Sequence, residues 1–246
     1  MRRPEPVTDQ AFSLWVYLSQ TPLLWLVVTL SAYVIADRIS QAFRRHPIFN
    51  PVLMSVIAVA LVLWATRTSY PVYFEGAKFV HFLLGPATVA LAIPLYENRH
   101  IVLRSIVPMM VALVVGSVTA IVSAVSIAQL FGMPNSILIS LAPKSVTAPV
   151  GMGITEALGG DPALTAILVM LTGVTGSIMV TPLMNALRMN DWRARGFAVG
   201  LASHGIGTAR AFQVNSLAGT FAGIAMGLNA LVTALLLPLV LKLLLD

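Results

Sequence analysis

Eight apolar stretches follow one another between Pro22 and Leu245, and charged side chains fall with few exceptions in the short gaps between them. That pattern leaves little choice of fold. Charged residues make up 10% of the 246, against about 25% in a soluble domain. No polar stretch is long enough to form a separate soluble domain. A helix crosses a bilayer with about 20 apolar residues, and windows of that length predict spans at Pro22–Ala36, Ile48–Ala65, Phe79–Leu95, Ile106–Phe131 and Ala163–Leu187. Leu217–Leu245 closes the chain, while Ile137–Leu158 and Phe197–Val214 are apolar but interrupted. The expected architecture is an all-α integral membrane protein of seven to eight apolar helical segments, some broken or re-entrant, with inverted repeats an open arrangement. We expect one transmembrane domain over residues 1–246, in which 1–21 is an amphipathic segment and Phe12–Leu18 extends the first span backward.

The formal charge of +6 is spread in a way that argues against a nucleic-acid partner. The arginines flank apolar segments and are not interleaved with aromatic side chains, so they read as topology signals retained on the cytoplasmic side. Arg38, Arg44 and Arg45 place the first loop inside, Arg99 and Arg104 the third, and Arg188, Arg193 and Arg195 the loop after Ala163–Leu187. This assignment makes Ile137–Leu158 begin and end outside, as a hairpin bent near Lys144 and Pro149. The alternative is a simple span that leaves the charge rule frustrated. Trp15, Trp25, Trp64 and Trp192 fall near span ends, where indole rings favour the interface. With no cysteine in the chain, disulfides, thiolate metal sites and a cysteine nucleophile are excluded. Ser203 and His204 are neighbours in sequence, which does not make them a nucleophile–base pair, and HExxH, GxSxG and P-loop motifs are missing. The chain is therefore expected to be no enzyme and to need no metal or cofactor.

The interrupted segments hold the residues that invite chemistry. In Leu141–Gly160, LAPKSVTAPVGMGITEALGG, a lysine, two hydroxyls and two prolines stand in membrane-grade sequence. A lysine there needs a counter-ion, the interface or a wet cavity. Pro149 suits the first turn of a half-helix ending near Leu158, whose N-terminus would aim free N–H groups and a partial positive charge at the break. Lys144, Ser145 and Thr147 beside that end suit a small carboxylate. The plainer reading has Lys144 reaching the interface and the hydroxyls bonding back to the helix.

Ala202–Phe212, ASHGIGTARAF, is the second constellation. Gly205 and Gly207 allow a break, Thr208 is placed to cap the helix that restarts, and Arg210 offers bidentate carboxylate recognition. His204 is a candidate substrate contact or proton carrier, or else a satisfied packing residue. Glu156 is a candidate coupling carboxylate or partner of Lys144, with a water-facing position at a helix end as the plainer reading. Gly85–Val89, with Pro94 beyond, echoes Ala142–Val146, with Pro149 beyond, and brings Thr88 into the candidate site. Gly151-x-Gly153, Gly173-x-x-Gly176 and Gly219-x-x-x-Gly223 read as close-packing positions.

LAPKSVTAPVGM (Leu141–Met152), ASHGIGTARAF, GPATVALAIPLYEN (Gly85–Asn98) and GGDPALTA (Gly159–Ala166) together resemble the LrgB family of bacterial inner-membrane proteins, over most of the chain after residue 20. The resemblance implies either of two functions. One is an antiholin-like role in murein hydrolase export and autolysis beside a small LrgA/CidA-like partner. The other is movement of small monocarboxylates, since related chains resemble the LrgB-like part of the plastidic glycolate/glycerate translocator and others are associated with pyruvate, lactate or glycolate. The carrier function ranks first on the sequence, because it alone calls for a buried Lys144. It makes a small carboxylate, membrane lipid and, by analogy with other carriers built on broken helices, a second copy of the chain the expected partners.

Overall fold

The computed structural model describes residues 21–90 and 92–245, and the side chains of Pro47, Leu84 and Thr88 are outside that description. The amphipathic stretch assigned to 1–21 also lies outside it, apart from Thr21, and so does Trp15. Among the described residues helices are the only regular structure. Five helical runs are long and apolar enough to cross a membrane: Pro22–Ala42, Tyr70–Glu97, Ile106–Leu130, Pro162–Ala186 and Ser216–Leu245. The chain forms two compact units, divided after Ala90.

The first unit contains α1 (Pro22–Ala42), α2 (Pro51–Thr66), α3 (Tyr70–Phe82) and α4 (Leu84–Ala90). Proline opens α1, α2 and α3 within the first turn, where its missing N–H has no helical partner to lose. The Asn50 side chain accepts from the Val52 and Leu53 N–H groups at 2.9 and 3.2 Å, capping α2. A Cβ on Gly76 would stand 2.3 Å from the Pro22 carbonyl oxygen, so α1 and α3 approach closely only because that side chain is a hydrogen. Trp25, fully buried, meets Tyr73 edge to face beside it. Two expectations are corrected in this unit. The second span starts at Pro51 and has 16 residues, because Pro47 and Asn50 hold the preceding chain in a short 3-10 turn capped by His46. The third begins at Tyr70 and is stepped at Leu83, since proline at the first turn starts a helix as readily as hydropathy does.

The second unit contains α5 (Ala92–Glu97), α6 (Arg99–Arg104), α7 (Ile106–Leu130), α8 (Asn135–Leu141), α9 (Ala148–Ala157), α10 (Pro162–Ala186), α11 (Trp192–Val214) and α12 (Ser216–Leu245). Helix α12 is its axis. One apolar cluster joins α7, the start of α11 and the first half of α12 through Met109, Leu113, Phe197, Leu201, Phe221 and Ala225. Another joins α7, α8 and the far half of α12 through Ile121, Val125, Leu138, Leu237 and Leu241. The buried positions on α7 recur every three or four residues from Met109 to Ala128, the period of one helix face.

Helices α8 and α9 form a hairpin. The Asp161 N–H donates to Ser140 Oγ at 2.8 Å and Thr165 Oγ1 donates to the Ser140 carbonyl at 2.9 Å. Thr155 and Thr165 hydroxyls lie 2.8 Å apart. Both ends of the segment therefore sit at the N-terminal end of α10, and the chain between them doubles back. Pro149 opens α9 as expected.

Helix α11 also doubles back, although it is helical on both sides of its break. His204 has φ 42° and ψ −134°, a conformation that glycine favours. A Cβ on Gly207 would lie 2.9 Å from the Val199 carbonyl oxygen, although eight residues of straight helix span about 12 Å. The limbs 192–203 and 205–214 thus lie side by side. The break falls at His204, next to the two glycines that the sequence suggested, because Gly207 is consumed in letting the limbs touch. Thr208 does not cap a new helix, since its hydroxyl donates back to the His204 carbonyl at 2.8 Å. At the base of this hairpin Asp191 accepts from the Arg193 N–H at 2.8 Å and pairs with its guanidinium at 2.6 Å. That hydrogen-bonded guanidinium holds the Asp191 carboxyl below its ordinary value.

Candidate functional site

The two hairpins approach each other from opposite ends of α10. The α8–α9 hairpin is tied to Asp161 and Thr165, at the helix's start. The α11 hairpin is tied to its end, where an Arg195 guanidinium nitrogen donates to the Thr181 carbonyl at 3.4 Å and to the Asn185 side chain. From there its tip reaches past the middle of α10 to its first third, where His204 Nε2 meets the Val169 carbonyl at 2.9 Å. A carbonyl only accepts, so Nε2 carries the proton. Small residues make the approach possible: a Cβ would lie 2.6 Å from the His204 ring at Gly173 and inside the Ser203 side chain at Gly176.

Asn229 joins the two tips. It lies near the middle of α12 and is 1% exposed. Its amide nitrogen donates to the Ser145 carbonyl and to the Leu201 carbonyl, both at 3.1 Å. Its amide oxygen accepts from Ser117 at 2.6 Å and from Thr233 at 3.2 Å. Two donors and two acceptors are the full capacity of an amide, so one side chain links α7, α12 and the bends of both hairpins. The carbonyls it serves belong to chain that has left, or is about to leave, helical geometry, where apolar surroundings offer no other partner. Sequence reasoning passed Asn229 by. Its signal was present as an amide in the middle of an otherwise apolar closing run, since such a residue in a membrane helix is usually bonded to a neighbour.

The proposed site residues divide between places. Lys144 is half-buried and its ammonium approaches the Ser145 hydroxyl at 3.4 Å, directly beside the Asn229 junction. Ser145 is buried. Thr147 holds the residue position before α9 in extended geometry, with no side-chain bond to the helix end, so the first N–H groups of α9 face the bend with Lys144. Glu156 is exposed on the last turns of α9, and among the described residues no ion pair joins it to Lys144. His204 and Thr208 are buried in the opposite bend, with the bonds already given. The Thr88 side chain lies outside the described residues, and its backbone belongs to α4 in the other unit.

Arg210 is placed elsewhere. It is 8% exposed and lines a cavity with Arg195, Trp192, Asn185 and Ala218. Ala218 precedes Asn229 by eleven residues on α12, about 16 Å of helix rise. No residue of the 141–160 bend lines that cavity. The structure therefore groups Lys144 with Ser145 and the start of α9, and groups Arg210 with Arg195, a residue that the charge pattern assigned to topology.

Five long apolar helical runs, with two opposed hairpins between those of the second unit, define a multi-pass membrane protein with broken helices. The comparisons with known proteins then specify the kind. The chain belongs to the LrgB-like family, whose description matches residues 29–243. It is 34% identical over 218 residues to the Bacillus subtilis protein named Uncharacterized protein YxaC, covering 89% of this chain and 94% of that one. Holin-like protein CidB of Staphylococcus epidermidis is 30% identical over 221 residues, 90% of this chain and 96% of its own. Uncharacterized protein YwbG of Bacillus subtilis is 33% identical over 217 residues, 88% of this chain and 96% of its own. No solved structure gives a significant match.

Proposed function

We propose that this chain is a non-enzymatic, holin-like component of the bacterial cytoplasmic membrane that controls murein hydrolase export and autolysis together with a small LrgA/CidA-like partner. The observation that carries this reading is similarity over nearly the whole of both chains to proteins named holin-like CidB. The family match runs over residues 29–243 and so includes the segments that form both hairpins. Deletion of the gene is expected to change the rate of detergent- or penicillin-induced lysis, and the intact chain to restore it only with the partner present. Lysis kinetics identical in deleted and complemented cells would refute this role.

A second reading is favoured by one specific feature, the meeting of opposed hairpins at Asn229 beside Lys144. Broken helices that end near the membrane midplane are how many secondary carriers hold an anion, on half-helix N-termini. Under this reading the chain carries a small monocarboxylate of the glycolate, glycerate, pyruvate or lactate type, with Lys144, Ser145, Thr147 and the first turn of α9 holding it. His204 and Glu156 are then the groups to test for proton coupling, and a second copy of the chain is the natural companion. Uptake of labelled glycolate, pyruvate and lactate into proteoliposomes of the purified chain separates the two readings. Saturable uptake lost in a folded Lys144→Ala protein supports the carrier. Absence of uptake by folded wild-type protein leaves the holin-like role, and uptake unchanged by Lys144→Ala removes that residue from the site.

A further inference from the structure

Neither reading above uses the cleft between α7 and the first limb of α11. It has a volume of about 590 Å³, within the range of about 300–1,000 Å³ that ligand pockets occupy. On α7 its wall runs from Ser105 past Met109 to Gly116, and on α11 from Ala194 past Phe197 to Leu201. Met109, Phe197 and Leu201, with Phe221 of α12, are buried members of one apolar cluster, so the cleft is closed toward the interior of the unit. Pro108 and Ala112 on the α7 wall are exposed, so it opens outward.

Its charge lies at one end. Arg104, Asp191 and Arg193 are the charged residues among the described ones that line it, and they stand where α7 and α11 begin. Beyond Ser105 the α7 wall is apolar as far as Gly116. Those eleven residues rise about 16 Å, close to the roughly 15 Å of hydrocarbon in one leaflet. The charges at the mouth are not equivalent. Asp191 is paired with Arg193 at 2.6 Å, which leaves no carboxylate there to hold an ammonium group. Arg104 is exposed and belongs to none of the ion pairs among the described residues. The mouth also adjoins the loop whose arginines mark the cytoplasmic side, the side on which a membrane surface is negatively charged.

We propose that this cleft holds one anionic glycerophospholipid, its phosphate at Arg104 and one acyl chain laid along α7 between Pro108 and Gly116. The planar fork of a guanidinium pairs with two phosphate oxygens at once, and basic groups at the cytoplasmic end of a crevice between membrane helices suit anionic headgroups. A soluble anion gains nothing from an apolar wall one leaflet deep. A zwitterionic lipid brings an ammonium that Asp191 is not free to meet. The acyl chain lies on Phe197 and Leu201, the limb that leads to the His204 bend, so its occupancy bears on that hairpin in either functional role.

Photocrosslinking of the full purified chain in a neutral detergent tests it, with phosphatidylglycerol carrying a diazirine in its acyl chain as the probe. Crosslinks are expected to saturate and to map to residues 108–116 and 194–201. Unlabelled phosphatidylglycerol should displace the probe at about one fifth of the concentration that phosphatidylethanolamine needs, the preference that one arginine confers near a charged membrane surface. Arg104→Gln is expected to erase that preference, while Arg188→Gln, in the adjoining loop but outside the cleft, keeps it. Ala112→Phe fills the cleft and should abolish the mapped crosslinks. Val111→Phe, exposed one residue away and outside the cleft, should leave them. Crosslinks scattered over the exposed helix faces of folded wild-type protein would overturn the proposal, as would mapped crosslinks indifferent to Ala112→Phe. Equal competition by the two lipids would overturn the anionic headgroup, and displacement by inorganic phosphate would replace the lipid with a free anion. Because the readout is lipid crosslinking, failure here leaves the lysis and uptake tests intact.

Discussion

At the scale of single residues, Asn229 bears the greatest burden. It satisfies two backbone carbonyls at the bends of two different hairpins and two hydroxyls on α7 and α12. A buried carbonyl left without a partner costs about 1–3 kcal/mol. Replacing Asn229 by alanine strips both carbonyls at once, so a loss of about 3–5 kcal/mol is expected. Thermal unfolding in detergent measures it, with Asn229→Asp as the companion variant. Aspartate keeps the acceptor and loses both donations, and it should fare no better than alanine. His204 makes the complementary case. It accepts a backbone shape better suited to glycine and keeps a bond to Val169 in return, an arrangement that strained bends tolerate only when their surroundings hold them.

Among elements, the α11–α12 pair shows how glycine sets the distance between helices. A Cβ on Gly196 would lie 2.1 Å from the Ala218 carbonyl oxygen, and one on Gly200 would lie 2.1 Å from the Ala222 carbonyl oxygen. Both obstacles are backbone and cannot rotate away. Gly200→Ala is therefore expected to push the first limb of the hairpin off α12, at a cost of about 1–3 kcal/mol, and to disturb the Leu201 carbonyl that Asn229 holds one residue further on. Gly153, with open space around it, serves as the control, and Gly153→Ala should unfold at the wild-type temperature or slightly above. The same comparison explains why the sequence placed the break one residue late. Gly205 and Gly207 are permissive residues, but a permissive residue marks where a bend is allowed, and packing against Val199 and α10 chose His204.

Across the second unit as a whole, the two hairpins oppose each other. One has its base at the start of α10 and the other at its end, and a 25-residue helix is about 37 Å long, enough to cross a bilayer. The two bases are therefore expected on opposite sides of the membrane. Single cysteines at Gly159 and at Asn190, placed in this cysteine-free chain, test it with a membrane-impermeant thiol reagent. Gly159→Cys should be labelled from outside intact cells and Asn190→Cys only after the membrane is opened. Labelling of both from the same side would contradict this arrangement. The internal echo seen in the sequence was of another kind. Gly85–Val89 lies within α4, and the counterpart of the 141–160 bend is the His204 bend, which shares its architecture without sharing its letters.

Apolar runs and their lengths were enough to establish a helical membrane protein, most of its long spans and the two stretches in which helices break, while the starts of the helices at Pro51 and Tyr70 were set by the local prolines. These are local properties, because a helix in lipid must satisfy its own backbone and the residues that prevent this lie in the break itself. Lys144 and Ser145 beside the half-helix start were legible for the same reason. The partners of each break were not. Ser145 and Asn229 are 84 residues apart, and Leu201 and Asn229 are 28 apart. Arg195 and Arg210 share a cavity only because the chain between them reverses. Hydropathy assigns every such residue an environment and none of them a neighbour. Neighbours follow from which glycine faces let helices close together, and that was decided in three dimensions.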